Sequence, residues 1–306
     1  MKTKLAFVVL GVVAVGVIGY FLNLRPTNVG PINDKLQVTT SFYPLYFFAS
    51  EIAGDKAVVY NITPAGAEPH DYEPTPQDVA RMEDSKLLIL NGGKFEAWGD
   101  KMKDNLKNKP TIIVAVGEAL INQDVVEDGE VVRDPHVWLS PVLVKKEVAA
   151  IVQGFVQADP ENASYYETNA EKLGKKLDGL HAEFRQGLSS CQKKDIITSH
   201  AAFGYLAREY NLNQVAISGL SPDEDPSPQK LREAADFARK NQVKYIFFES
   251  LVSPKLSETI AYEVGAQTLV LNPIEGLSDD EINQGKDYFT EMRNNLTNLK
   301  IALECR

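Results

Sequence analysis

The sequence feature that most constrains the fold is a pattern of alternating strands and helices, which occurs in two runs. One long amphipathic segment separates the two runs. Short apolar segments rich in β-branched residues predict strands in the first run at residues 36–40, 57–62, 86–91 and 111–116. The second run repeats them at residues 195–199, 214–218, 244–248 and 267–271. Helical patterns lie between strands at 45–53, 77–83, 202–209, 228–240 and 254–263. Strands that alternate with helices predict an α/β fold of parallel βαβ units.

A single long helix is predicted between the two runs. Asp159 is a candidate N-cap, and Pro160 suits the first helical position, where a missing N–H is tolerated. An apolar stripe follows at intervals of three and four residues: Tyr166, Ala170, Leu173, Leu177, Leu180, Phe184 and Leu188. From Pro160 to Leu188 this helix would extend for about 43 Å and hold two lobes at a fixed separation.

The domain organisation follows from this helix. We expect an N-terminal lobe at 36–158, a rigid bridging helix at 159–190 and a C-terminal lobe at 191–306. The capping-box sequence Ser278–Glu281 predicts the start of a last helix. Its predicted buried face carries Phe289, Met292, Leu296, Leu299 and Leu303.

The amino-terminal segment predicts export of everything that follows it. Residues 5–22 are uninterrupted apolar sequence, which as a helix would span about 27 Å, close to the thickness of a membrane core. Lys2 and Lys4 place residues 1–4 on the cytoplasmic side. This segment is interpreted as either an uncleaved membrane anchor or a cleaved secretory signal, and residues 23–35 are interpreted as a tether.

Charge and cysteine content narrow the function further. The 306 residues carry a net charge of −10, which argues against a nucleic-acid partner. The two cysteines, Cys191 and Cys305, suit an oxidising compartment either as a disulfide or as two unpaired thiols. A disulfide would close a long loop and stabilise the fold by up to about 4–5 kcal/mol in the chain-entropy model.

The chain has only four histidines, and three of them share a type of position. His70 and His200 each follow a predicted strand, and His136 lies in a proline-flanked loop. Ligands of open α/β sheets bind at the carboxyl ends of the strands, so these three imidazoles can meet in a cleft between two lobes. Neutral imidazoles favour zinc or another late first-row ion. His181 lies inside the long helix, and we expect a structural role for it.

Five motifs resemble the solute-binding proteins of ATP-binding-cassette (ABC) importers for zinc and manganese, the metal-binding-lipoprotein or adhesin-like group. They are Ser41–Pro44, Pro69–Pro74, Asp134–Leu139, Ser199–Phe203 and Val270–Gly276. The resemblance covers about Val38 to Leu303 and implies two α/β lobes bridged by one rigid helix. It also implies that His70, His136 and His200 are metal ligands, and the histidine at position 200 resembles the zinc branch.

The fourth ligand implied by the resemblance is Glu275. Many members have a metal-binding aspartate where this chain has Asn272, a poor anionic ligand, and Glu275 follows three residues later. One carboxylate beside three imidazoles would close a tetrahedral zinc site. Glu68, Glu249 and a water molecule are the rival ligands, and we favour a supporting role for Glu249.

The resemblance implies an extracytoplasmic, monomeric protein that captures Zn²⁺ and passes it to a membrane permease with a cytoplasmic ATPase. Manganese or iron is the alternative cargo. A zinc hydrolase is disfavoured, because no His-Glu-x-x-His motif is present and Glu275 would occupy the position of the catalytic water. An adhesin or metal reservoir is a third possibility. The acidic segment 122–133 is expected to be a solvated surface loop, with weak ion gathering as the alternative.

Overall fold

Two four-stranded parallel sheets form the frame of the molecule. The first sheet has the order β2-β1-β3-β4 and the second the order β10-β9-β7-β8, so the predicted parallel βαβ units are confirmed. The first contains β1 (Leu36–Thr40), β2 (Ala57–Asn61), β3 (Leu87–Leu90) and β4 (Ile112–Ala115). The second contains β7 (Asp195–Thr198), β8 (Asn213–Ala216), β9 (Tyr245–Phe248) and β10 (Gln267–Val270). Every residue of β3 is buried, as expected where helices cover both faces of a sheet.

Ten helices pack around these sheets in the part of the chain that the structure describes. They are α1 (Tyr43–Ala53), α2 (Pro76–Asp84), α3 (Gly99–Leu106), α4 (Pro141–Ala158), α5 (Ala163–Gly187), α6 (Gly204–Glu209), α7 (Pro228–Lys240), α8 (Lys255–Val264), α9 (Asp279–Asn283) and α10 (Tyr288–Ala302). Several begin with a side-chain cap and a proline in the first turn. Thr75, Ser140 and Ser227 each accept a hydrogen bond from a backbone N–H in this way, which satisfies a donor that the helix cannot.

The computed structural model describes residues 35–127 and 130–306. The predicted cytoplasmic residues 1–4, the apolar segment 5–22 and tether residues 23–34 lie outside the described residues. Within the described ranges, every helix is too short or too polar to cross a membrane. Leu36–Arg306 pack together as one compact unit that contains both sheets.

The long helix is present but begins later than predicted. Residues 160–162 form a separate 3₁₀ turn, and α5 runs for 25 residues, or about 37 Å. The Asp159 carboxylate does not cap a backbone N–H. It accepts hydrogen bonds from the Asn162 amide at 2.8 Å and from the Tyr166 hydroxyl at 2.6 Å. The predicted apolar stripe is buried except for Ala170, which is half-buried, so the face of the helix was predicted correctly.

Four elements differ from the sequence prediction. Helices α3 and α4 were not predicted, and α4 packs against α5 along much of its length. The acidic segment is an antiparallel hairpin of β5 (Asp124–Glu127) and β6 (Glu130–Arg133) and not a loop. The predicted last helix is two helices, because α9 ends at Asn283 and α10 begins with its own Asp287–Thr290 capping box.

The two cysteines form a disulfide. Cys191 follows the end of α5 and Cys305 follows the end of α10, and the two residues also form an isolated antiparallel bridge. The disulfide therefore fastens the carboxyl end of the long helix to the end of the chain. The alternative of two unpaired thiols is wrong.

Candidate metal centre

The four predicted site residues meet at one point between the carboxyl edges of the two sheets. His70 lies in the loop after β2, and His136 immediately precedes a 3₁₀ turn at Val137–Leu139. His200 lies two residues beyond β7, and Glu275 lies five residues beyond β10. Among the described residues, these four form the one group of three or more histidine, cysteine or acidic side chains whose ligand atoms lie within 4.8 Å of one another.

Five of the six distances between the four ligand atoms are nearly equal, and all four atoms lie within 4.8 Å of one another. The Nε2 atom of His136 lies 3.3 Å from Nε2 of His70 and 3.3 Å from Nε2 of His200. The Oε1 atom of Glu275 lies 3.3–3.4 Å from the Nε2 atoms of all three histidines. The Glu275 oxygen is buried and has no hydrogen-bond partner, so it is free to bind a cation.

The five measured distances match those of a tetrahedral zinc site. A regular tetrahedron with edges of 3.3–3.4 Å has its centre about 2.0–2.1 Å from each corner. Zinc–imidazole bonds are about 2.0–2.1 Å long, and zinc–carboxylate bonds about 2.0–2.2 Å. Burial alone would raise the pKa of Glu275, but the three imidazoles outweigh it and hold that pKa well below its ordinary value. Glu275 is therefore an anion that can neutralise part of a cation's charge.

Asp134 orients the ring of His136. One oxygen of Asp134 accepts hydrogen bonds from the His136 backbone N–H at 2.9 Å and from ring Nδ1 at 2.8 Å. The ring therefore presents Nε2 to the centre of the tetrahedron. Burial would lower the pKa of His136, but Asp134 and Glu275 together raise it. A carboxylate on the second nitrogen of an imidazole is the usual support of a metal-binding histidine.

Glu249 has the same relation to His200. Its Oε1 atom lies 2.6 Å from His200 Nδ1, and it also accepts a hydrogen bond from the Ser199 hydroxyl. Burial would lower the pKa of His200, but Glu249 and Glu275 raise it well above the ordinary value. Glu249 therefore lies behind a candidate ligand and supports it, as the sequence analysis favoured.

His70 is held differently. Its backbone N–H donates to Glu68 Oε1 at 3.1 Å, but no described residue forms a hydrogen bond with its Nδ1. The ring instead packs edge-on against Phe95, with ring centroids 4.7 Å apart. Glu68 lies outside the group of four, and its second oxygen is buried without a hydrogen-bond partner. Burial and the nearby Glu275 carboxylate raise the pKa of Glu68 to about 9.

The turn that presents Glu275 is held by side chains of α10. Asn295 accepts a hydrogen bond from the Asn272 N–H at 2.8 Å and donates one to the Asn272 carbonyl at 2.7 Å. The Asn272 side chain accepts from the Ile274 N–H at 2.7 Å. Ile274 has φ 58°, a left-handed conformation that costs a β-branched residue about 1–3 kcal/mol. Asn272 therefore builds a strained turn, which places the Glu275 oxygen beside the three imidazoles.

Trp138 connects the two halves of the site. Its indole N–H donates to the Pro273 carbonyl at 2.8 Å, and its own carbonyl accepts from the Tyr288 hydroxyl at 2.7 Å. Both bonds are buried and join the chain next to His136 to the elements that carry Glu275. Candidate ligands from the two sheets are thus kept in a fixed relation.

The remaining histidine lies outside the centre. His181 contacts the Tyr210 hydroxyl at 3.1 Å through Nδ1, as expected for a structural residue. Asp134, Phe95 and Trp138 also contact the candidate ligands or their loops, although none of them was predicted as a site residue. The first had a readable signal, because both Glu68-Pro69-His70 and Asp134-Pro135-His136 place an acidic residue two positions before a candidate ligand. Trp138 lies two residues after His136 in the same motif, whereas Phe95 is brought to the site by folding alone.

Comparison with known proteins agrees with this geometry. Residues 38–302 match the model of a family described as zinc-uptake complex component A, periplasmic. The chain is 40% identical over 284 residues to the high-affinity zinc uptake system protein ZnuA of Bacillus subtilis, covering 88% of each chain. It is 39% identical over 285 residues to the zinc-binding lipoprotein AdcA of Streptococcus pneumoniae, covering 90% of this chain and 57% of AdcA.

A solved structure of a zinc-binding relative also resembles this chain. The crystal structure of the Zn(II)-bound ZnuA-like domain of Streptococcus pneumoniae AdcA superposes with a TM-score of 0.76. The sequence identity is 39%, and the match covers 88% of this chain and 99% of that domain. The α/β fold with two parallel-sheet lobes is therefore shared with a protein crystallised with zinc.

Proposed function

Because the chain belongs to the family of zinc-uptake complex component A, we propose that it captures Zn²⁺ outside the cytoplasm and delivers it to an ABC importer. The family consists of solute-binding proteins for zinc transport and not of enzymes. An ABC permease with its ATPase is accordingly the partner. The observation that carries the proposal is the tetrahedron of three imidazole nitrogens and one carboxylate oxygen.

The proposed ligands of the ion are His70, His136, His200 and Glu275. Three neutral donors and one anion suit zinc, which binds imidazole well and accepts four ligands. Manganese prefers oxygen donors and six ligands, so the same four atoms serve it poorly. A hydrolytic zinc site would keep one corner for water, whereas Glu275 lies at the fourth corner here.

We further propose that residues 5–22 anchor the protein in the membrane and that residues 23–35 are its tether. Support comes from the sequence alone, since 18 apolar residues follow two lysines. We also propose that the protein acts as a monomer. One chain contributes all four candidate ligands, so a second copy is not needed to complete the centre.

Competitive titration of the purified protein with zinc and manganese tests the proposed function. We expect one tightly bound zinc per chain and much weaker manganese. His200→Ala and Glu275→Ala should each weaken zinc binding by at least about tenfold, and His181→Ala should leave it unchanged. Equal affinity for the two metals would contradict the zinc assignment. An unchanged zinc affinity in Glu275→Ala would place the fourth ligand elsewhere.

A further inference from the structure

A cavity of about 620 Å³ opens beside His70, and the metal-centre assignment does not account for it. Its walls come from the loop around Phe95, from β6 and from the Leu220–Glu224 loop of the second half. Apolar contact is supplied by Phe95, Val131, Val132 and Leu220. Pockets of this volume with apolar walls and a few charged groups are typical of small-molecule sites.

Two cations line this cavity in a protein with a net charge of −10. They are Lys94 and Arg133, and neither forms an ion pair with any carboxylate whose side chain the structure describes. The guanidinium of Arg133 donates to the Ile121 carbonyl at 3.3 Å, which leaves further N–H groups for a ligand. Unpaired guanidinium and ammonium groups in a cavity are suited to bind carboxylates.

The loop that carries Lys94 is fixed by the protein. Lys94 has φ 68°, a conformation that non-glycine residues adopt rarely. Next to it, the buried carboxylate of Glu96 accepts hydrogen bonds from the Ser41 hydroxyl and from the N–H groups of Asn91 and Gly92, at 2.6–3.0 Å. The backbone at Lys94 is therefore held by the loop, and its exposed side chain lines the cavity.

Two carboxylates, Glu118 and Glu224, also line the cavity. Glu118 accepts a hydrogen bond from the Gly93 N–H at 3.0 Å and lies 3.8 Å from Lys103. Glu224 lies in the acidic Leu220–Glu224 loop, which forms the wall from the second half. Positive groups thus approach the cavity from the loop around Phe95 and from β6.

The position of the cavity relates it to the metal. His136, His200 and Glu275 are at most 1% exposed, whereas the His70 side chain is 10% exposed and lines the cavity. His70 is also the candidate ligand whose Nδ1 has no carboxylate partner among the described residues. A metal ion that arrives through the cavity therefore meets His70 first.

From these observations we propose that the cavity binds a small carboxylate that chelates zinc, of the hydroxycarboxylic-acid or amino-acid class. The anion lies against Lys94 and Arg133 and presents its zinc ion to His70. The Zn–O bond to the anion breaks as the Nε2 lone pair of neutral His70 forms a Zn–N bond, and no electron is transferred. The closed tetrahedron has no corner for the anion, which departs into solvent. This inference rests on the proposed function.

The rate of zinc transfer from zinc citrate tests the inference. The experiment compares the wild-type protein with Lys94→Ala/Arg133→Ala, and the control is Lys101→Ala/Arg232→Ala, which removes the same charge from exposed positions outside the cavity. We expect transfer to slow at least about fivefold in the cavity variant and less than about twofold in the control. The affinity for zinc in a non-chelating buffer should be equal in all three, because neither cation is a ligand.

Direct binding of citrate provides the second measurement. Saturation-transfer NMR should detect citrate on the wild-type protein and on the control, and should lose the signal in the cavity variant. Equal slowing of transfer in both double variants, or an unchanged citrate signal in the cavity variant, would overturn the inference while the proposed function stands. A wild-type protein that binds no zinc from the non-chelating buffer would instead overturn the proposed function, and the inference with it.

Discussion

His136 and His70 follow the same short motif, an acidic residue and a proline, but the protein supports their rings in different ways. In both motifs the acidic side chain accepts a hydrogen bond from the histidine N–H. Asp134 also reaches Nδ1 of His136, whereas Glu68 makes no such bond to His70, whose ring packs on Phe95. Similar sequence therefore produces one candidate ligand fixed by charge and one fixed by packing, and the second is the more exposed.

Asp134→Asn, which removes the charge that supports the His136 ring, should have the largest effect on zinc binding. The amide can still accept from the backbone N–H, but it cannot stabilise positive charge on the His136 ring, and its NH₂ group can orient the wrong tautomer. We expect zinc affinity to fall by about 10–100-fold. Calorimetric titration measures this, with the exposed Asp100→Asn as the control. A loss below about threefold would mean that Asp134 does not orient the ligand.

Glu147 shows how burial changes the pKa of an acidic side chain that has no histidine or other hydrogen-bond partner. This α4 residue is fully buried, neither oxygen has a hydrogen-bond partner, and burial raises its pKa to about 8. In the unfolded chain the group ionises near its ordinary value of 4.5, so the folded state loses stability as the pH rises from there towards 8.

Glu147→Gln should therefore be more stable than the wild type by an amount that grows with pH. The difference should increase by about 2 kcal/mol between pH 5 and pH 6.5, since each pKa unit is worth about 1.4 kcal/mol. Urea unfolding at both pH values measures it, with exposed Glu233→Gln as the control. Parallel stability curves for Glu147→Gln and the wild type would show that the buried carboxyl is paired.

Phe95→Leu tests the support by packing. The substitution keeps an apolar side chain but removes the edge-on aromatic contact with His70, which is worth about 0.5–1.5 kcal/mol. Zinc affinity should fall by about two- to tenfold, mainly through faster dissociation. Stopped-flow release of zinc to a chelator measures the rate, and Phe237→Leu in the second half is the control. Equal dissociation rates would show that Phe95 does not hold the ring.

Glu68→Gln should have the smallest effect. Glu68 accepts only from the His70 backbone N–H, and an amide oxygen can do the same. We expect zinc affinity to change by less than about twofold, measured in the same titration as Asp134→Asn. A loss as large as that of Asp134→Asn would remove the distinction between the two motifs.

The sequence predicts the frame of the molecule better than the contacts within it. Strand alternation and the stripe on α5 follow from local periodicity, which is why the two parallel sheets and the buried face of α5 were predictable. Two local predictions were wrong. Asp159 does not cap the long helix but accepts a hydrogen bond from the Tyr166 hydroxyl, and the predicted last helix is interrupted before Asp287. Both outcomes come from short-range side-chain hydrogen bonds that compete with a continuous helix, and an apolar stripe does not show which of the two wins.

The candidate site was also predictable in its main residues but not in the contacts around them. Histidine scarcity, strand ends and a family resemblance were enough to select the four residues that the fold brings together. The contact of Phe95 with His70 and the link from Trp138 to Pro273 join residues 25 and 135 positions apart in sequence. No spacing rule predicts such contacts, because they depend on how the two sheets meet.

X-ray absorption spectroscopy of the zinc-loaded protein tests the central claim most directly. We predict four light ligands at about 2.0 Å, three of them with the outer-shell scattering of imidazole and the fourth an oxygen. In Glu275→Gln the three imidazoles should remain, with the oxygen contribution altered. Fewer than three imidazoles, or five or six ligands in the wild-type protein, would contradict the tetrahedral centre of His70, His136, His200 and Glu275.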